Sequence, residues 1–287
     1  MAFFRFAKLA FIVVLVCVLM TISIIMSTIN TPLAIGEDFD TLSDPYLSNA
    51  NPPPTMFRTG ARPCALQNIS SLSQKKILKS QYEEDRHLLS FFNGLCGGTY
   101  MEMGALDGRL YSNSYSFHKA MDWKGLLVEL TPESYHQLVK NRPNELAVVN
   151  AAVCDQAKKI HYYSKLKQPA VSGVWEFTAL EFREKWWSNI TIADTEEIDC
   201  IPLKEIITKN GSEFMALQGL DFTKVGFGIV FIERQRYNPI KDLAIRTIME
   251  RNGYIFLYEK SNSVWFANAR FDEIYNGVLG TKVSLEL

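Results

Sequence analysis

Apolar and polar positions divide the chain into stretches of different period. Residues 9–29 form a run of twenty-one residues without a charge, including FIVVLVCVLM. At about 1.5 Å of rise per residue, a helix of that length crosses a hydrocarbon core of roughly 30 Å. Residues 30–72 show no sustained period and contain Asn51-Pro52-Pro53-Pro54 among many Ser, Thr and Asn. Such a stretch buries too little apolar surface to offset its ordering entropy, so it reads as a disordered stem. From Gln74 the pattern changes. Ile77, Leu78, Tyr82, Leu88, Leu89 and Phe92 recur at near-helical spacing, which predicts an amphipathic helix ending near Gly94.

Beyond that helix, short apolar runs alternate with helical patterns. Strands are expected at 99–103, 125–129, 146–149, 229–233, 253–256 and 264–266, with helices at 114–121, from Pro132 to about Lys140, and at 240–252. Alternation of this kind argues for an α/β domain over 73–287. The expected fold is a Rossmann-like, doubly wound, mostly parallel sheet covered by helices, preceded by one transmembrane helix. No internal repeat is present.

Charge orients the apolar run. Arg5 and Lys8 precede it, whereas Glu37, Asp38, Asp40 and Asp44 follow it. Flanking basic residues mark the cytosolic side. The expectation is therefore a cytosolic tail at 1–8, a signal anchor at 9–29, and a domain that is lumenal (Golgi or ER) or extracellular. A cleaved signal peptide is the competing reading, but its apolar part runs only about 7–15 residues, and Leu33-Ala34 makes a poor small-x-small site. In that topology the sequons at Asn68, Asn189 and Asn210 become candidate glycosylation sites. Cys64, Cys96, Cys154 and Cys200 can then pair in three ways, all open at this level, with four buried thiols as the alternative.

Composition narrows the partners. Hydrophobic residues at 47% and charged ones at 21% suit a folded domain, and a net charge of -1 gives no nucleic-acid footprint. Five cysteines without a CxxC spacing and four histidines offer no zinc pattern, so no metal site is expected.

In a doubly wound sheet, ligands bind beyond the carboxyl ends of the strands. After the first strand stands Glu102-Met103-Gly104-Ala105-Leu106-Asp107-Gly108, whose two glycines allow a tight turn close to a ligand. It is neither a Walker loop nor GxGxxG, which disfavours a nucleoside triphosphate and a dinucleotide. The second strand ends at Glu129, a carboxylate suited to ribose hydroxyls. After the third come Asn150, Ala151 and Ala152, small residues with one amide, suited to adenine. Compact turn and solvated glutamate are the plainer readings of each part alone.

These residues resemble the opening motifs of the FkbM-type S-adenosylmethionine-dependent methyltransferases. The likeness is carried by GTYMEMGALDG at 98–108 with YSNS at 111–114, WKGLLVE at 123–129 with Pro132, and VNAAVCD at 149–155. AVSG at 170–173, Ile201-Pro202-Leu203 and Ile232-Glu233 follow in family order. The resemblance implies S-adenosylmethionine as cofactor and methyl transfer to a hydroxyl oxygen of a glycan or small molecule. By carry-over, Glu102, Gly104 and Gly108 hold the methionine part, Glu129 the ribose, and Asn150 to Ala152 the adenine, with Asp107 and Asp155 also among the cofactor-binding residues it implies. Asp107, Asp155 and Glu233 are candidates for a general base, with no means of choosing among them. Trp175, Trp186 and Trp187 are either a sugar platform or core aromatics.

One departure stands out. The family carries a central strand ending in a Leu-Asp-x-Glu-Gly-x-Glu pattern, whereas here the helix expected from Leu203 to Lys209 runs almost directly into GSEFMAL at 211–217. About a dozen residues are missing, enough for a strand of ~5–6 residues and its connector. Three consequences stay open: a variant that folds poorly, residues 197–201 filling the vacant place, or a non-catalytic binding module. A lumenal glycosyltransferase is the other enzyme class this layout suggests. Its only Asp-x-Asp, Asp38-Phe39-Asp40, falls in the stem.

Overall fold

The computed structural model describes residues 61–154, 156–164, 171–202, 226–234, 239–260, 262–273 and 275. The anchor at 9–29, the stem up to residue 60, Asp155, the Asn210 sequon and the 203–217 departure lie outside the described residues. Among the described residues no helix is long and apolar enough to cross a membrane.

Folded structure starts earlier than residue 73. Strand β1 (Arg62–Pro63) pairs with β2 (Leu95–Cys96), Cys64 is bonded to Cys96, and helix α1 (Ile69–Gln74) is capped by Asn68, whose side chain accepts from Ser71 N. Leu72 is buried on the next helix's core. The expected stem is therefore corrected over 61–72, where a cystine and a capped helix supply the ordering that composition alone does not. A second cystine joins Cys154 to Cys200, so one of the three pairings is realised. The two cystines span 32 and 46 residues, which in a chain-entropy account is worth roughly 3–4 kcal/mol each.

The single helix expected from Gln74 to Gly94 is also corrected. Only α2 (Glu84–Phe92) is helical. Lys76 and Glu83 adopt φ of 56° and 66°, and the Asp85 carboxylate accepts the amides of Lys79 and Ser80. A local side chain that takes backbone donors competes with the helix for them.

The first sheet is parallel, in the order β3 (Thr99–Met103), β4 (Lys124–Glu129), β5 (Ala147–Asn150). Helices α3 (Tyr115–Met121) and α4 (Pro132–Asn141) form the crossovers. β4 is central and buried on both faces, so it reads KGLLVE without alternation. Leu126, Leu127 and Val128 are essentially inaccessible, each worth roughly 1.5–3 kcal/mol of burial. Beyond Ala151 the chain passes directly into a second sheet, order β6-β9-β7-β8, formed by β6 (Ala152–Cys154), β7 (Lys158–Tyr163), β8 (Gly173–Val174) and β9 (Glu196–Pro202). Helix α5 (Leu180–Trp186) lies between β8 and β9 in sequence. The third sheet, β10 (Ile229–Glu233), β12 (Ser263–Asn268) and β11 (Tyr254–Lys260), is antiparallel and packs on α6 (Pro239–Arg251).

Mixed α/β architecture with a parallel sheet is thus present, but not one continuous doubly wound sheet among the described residues. β3 pairs only with β4, and β10 only with β12. Residues 197–201 do not fill the place between them, because β9 is held by β6 and β7. What joins the halves is an aromatic cluster: Phe92 meets Phe117, Trp123, Phe271 and Tyr275 edge-on, with centroids 5.2–6.4 Å apart.

Candidate active site

Parallel pairing sets the site. Because Met103 is level with Val128 and Glu129 with Asn150, the turns leaving β3, β4 and β5 emerge side by side. Gly104 takes φ +70° at the end of β3, a conformation open to glycine, and its N–H donates to Val128 O. Leu106 follows at φ +49°, strained for a residue with a Cβ, and its amide donates to Glu129 Oε2 at 2.8 Å. Glu129 Oε1 accepts Thr131 N at 2.7 Å. Burial raises the Glu129 carboxyl above its ordinary range, against the lowering effect of these amides. Each of its oxygens accepts one of these N–H groups, and a carboxylate oxygen has a second acceptor direction.

Asn150 uses its amide nitrogen to donate to the carbonyls of Glu129 and Leu130, tying the ends of β4 and β5 together. The residue is exposed. Ala151 N donates to Glu129 O. Gly104, Glu129, Asn150 and Ala151 therefore stand side by side at the ends of the three parallel strands.

Glu102 and Gly108 are brought to the same loop but do other work. Buried Glu102 accepts from Ser112 Oγ at 2.9 Å, Ser114 Oγ at 2.5 Å and Asn113 N at 2.8 Å, fixing the segment that leads into α3. A Cβ on Gly108 would lie 2.5 Å from Leu138 Cδ1 and 2.6 Å from Arg142 Cγ, so α4 packing accounts for this glycine. Asp107 Oδ1 accepts the amides of Arg109 and Leu110 as an internal loop brace. Glu233 ends β10 in the third sheet, accepting from Asn262 Nδ2. Trp187 is buried, donates to Val171 O, and packs with Tyr163, Phe182 and Trp175, so it belongs to a core cluster.

The centre of the loop is a residue the sequence did not single out. Arg142, with a fully buried side chain, donates to Glu145 Oε1 at 2.6 Å, Gly108 O at 2.9 Å, Ser114 Oγ at 3.0 Å and Tyr100 OH. Glu145 also accepts Gly125 N at 2.7 Å and Tyr100 OH at 2.5 Å, and His118 Nδ1 lies 2.9 Å away. Burial would raise the Glu145 carboxyl, but the His118, Arg142, Tyr100 and Gly125 contacts outweigh it and hold it below the ordinary range. Asn141-Arg142-Pro143-Asn144-Glu145 reads as a solvated polar turn, and only tertiary contacts reveal it as a brace.

Turns at adjacent parallel strand ends, with a buried carboxylate at the middle one, place this half of the chain in the α/β class. The model of the methyltransferase FkbM domain matches residues 102–256, more than half of the 287-residue chain, and the chain belongs to that family. The family generally uses S-adenosylmethionine. No curated protein and no solved structure matches the chain.

Proposed function

We propose that this chain is a membrane-anchored methyltransferase that uses S-adenosylmethionine to methylate a hydroxyl oxygen of a glycan or small molecule. The observation that carries the reading is the juxtaposition of the Gly104 turn, Glu129 and Asn150 at three adjacent strand ends of an FkbM domain. Glu129 would hold the ribose, Asn150 and Ala151 the adenine, and the Gly104 turn the chain leading to sulfur. The bound cofactor supplies an already activated methyl group, so the protein's part is alignment of the acceptor and exclusion of water.

Two further observations support the lumenal or extracellular placement. Two cystines suit an oxidising compartment, and the uncharged run at 9–29 suits an anchor with the domain beyond it. Asn68 and Asn189 are exposed, as glycosylated asparagines must be. Isothermal titration of the full chain in detergent with S-adenosylmethionine and its demethylated product tests the reading. Saturable binding of both is expected; a folded sample that binds neither overturns it. A second reading, a binding protein without turnover, is favoured by the single partner of β3 and of β10 among the described residues. Binding of the cofactor without methyl transfer to any hydroxyl acceptor would select it.

A further inference from the structure

A cavity of about 630 Å³ opens beside the glycine turn, between residues 79–82 on one wall and Asp107 with residues 109–111 on the other. Its volume is in the range of small-molecule sites. Both walls are braced in place. Buried Asp85 accepts Lys79 N at 2.6 Å and Ser80 N at 3.1 Å, and its own amide donates to Ser80 Oγ at 2.7 Å. Asp107 Oδ1 holds the amides of Arg109 and Leu110, and a backbone bridge joins Ser80 to Tyr111 across the floor. A cavity whose walls are fixed by their own carboxylates is preorganised rather than incidental.

The lining charges define what it takes. Lys79 and Arg109 form no ion pair with a carboxylate among the described residues; Lys79 Nζ lies only over the Tyr115 ring, 5.9 Å from its centroid. Asp107 is the one lining carboxylate, and one of its oxygens is already taken by two amides. Two cations against one carboxylate leave a single net positive charge, which suits one carboxylate on the ligand. A phosphate dianion would face the Asp107 carboxylate uncompensated. The methionine end carried over to Glu102 and Gly108 also needs another place, because buried Glu102 is engaged by Ser112, Asn113 and Ser114, and Gly108 is packed under Arg142.

We infer that this cavity binds the carboxylate-bearing part of a small molecule through Lys79 and Arg109. The group has two sources, the amino-acid end of the cofactor or an acidic acceptor such as a uronic sugar. The assignment rests on the methyl-transfer reading only for the first source.

The test is titration of the full chain and its Lys79→Gln/Arg109→Gln variant in detergent with four probes. S-adenosylhomocysteine is set against methylthioadenosine, which lacks the amino-acid end, and glucuronate against glucose. The double variant is expected to lose roughly tenfold or more for one acid, with the neutral counterpart unchanged. Loss for S-adenosylhomocysteine identifies the cofactor as the source; loss for glucuronate identifies the acceptor. Arg109→Lys restores part of the affinity, and an unchanged melting curve shows that both variants fold. If the variant binds both acids as the wild type does, or weakens acid and neutral probes alike, the cavity assignment falls. Wild type that binds methylthioadenosine but discriminates no acid keeps the cofactor reading and sinks the cavity. Wild type that binds glucuronate alone does the reverse, and wild type that binds none of the four sinks both.

Discussion

In the sheet β5-β4-β3 the turns are fixed by buried charge, whereas the sheet β10-β12-β11 is attached by aromatic rings. Arg142 alone reaches Gly108, Ser114, Tyr100 and Glu145, so one guanidinium sets the path of the loop that a ligand would touch. At the other side, Phe271 meets Phe91, Phe92 and Tyr275 with no strand ladder between the halves among the described residues. Hydrogen bonds to a charge are strongly directional and expensive to break one at a time; ring packing is less directional, and its stabilisation falls with the area lost. The difference teaches where orientation matters in this molecule and where attachment is enough.

Two substitutions of similar cost separate these roles. Arg142→Met leaves the Glu145 carboxylate buried without its cation and should cost about 3–5 kcal/mol. Phe271→Ala, which empties a fully buried ring site, should also cost about 3–5 kcal/mol. Denaturant titration is expected to show both losses. Only Arg142→Met should abolish binding of S-adenosylhomocysteine below the unfolding midpoint, because only it frees the turn. Equal binding by the two variants would erase the contrast. Gly108→Ala is a milder version of the first break. Its Cβ would press on Leu138 and Arg142 at φ +76°, costing about 1–3 kcal/mol and weakening the cofactor more than the fold. A melting curve and titration identical to wild type would show that the loop yields.

The contrast also explains what the sequence revealed. Residues 99–103 and 229–233 are legible because each is a short apolar run bounded by turn residues, and both strands occur with those limits. Glu129 and Asn150 are legible as strand ends. The second sheet is less so, because the apolar face of β7 and β9 is short, Ile160 and Tyr162 beside Ile198 and Cys200, while the other face sets Lys159 and His161 against Asp199 and Glu197. Lys159 contacts Asp199 at 2.7 Å within that pair, and the Cys154–Cys200 cystine ties β9 to β6; neither leaves a periodic trace. Arg142 is illegible for a related reason: its partners Tyr100, Gly108 and Ser114 lie 28–42 residues away along the chain. The broken helix before Glu84 was hidden by apolar spacing that persists through residues whose amides Asp85 captures.

Acid separates the two regions with the smallest expected effect. His87 on α2 lies against the third sheet, with Nε2 on Tyr258 OH and Nδ1 3.0 Å from Lys260 Nζ. Burial first, and then the Lys260 charge, lower its pKa from 6.5 to about 4. A base depressed in the folded state contributes stability above its unfolded value and loses it as the pH falls. The loss from His87 therefore runs between pH 6.5 and about 4. His87 is only half-buried, so solvent screening limits this contribution to about 1 kcal/mol. Glu145 is a depressed acid, so its contribution is present above 4.5 and is lost only at lower pH, as the folded carboxyl protonates. Stability measured from pH 7 to 4 should thus fall more for wild type than for His87→Phe. A wild-type-minus-variant difference that stays flat across that window would show that the aromatic junction carries no titrating group.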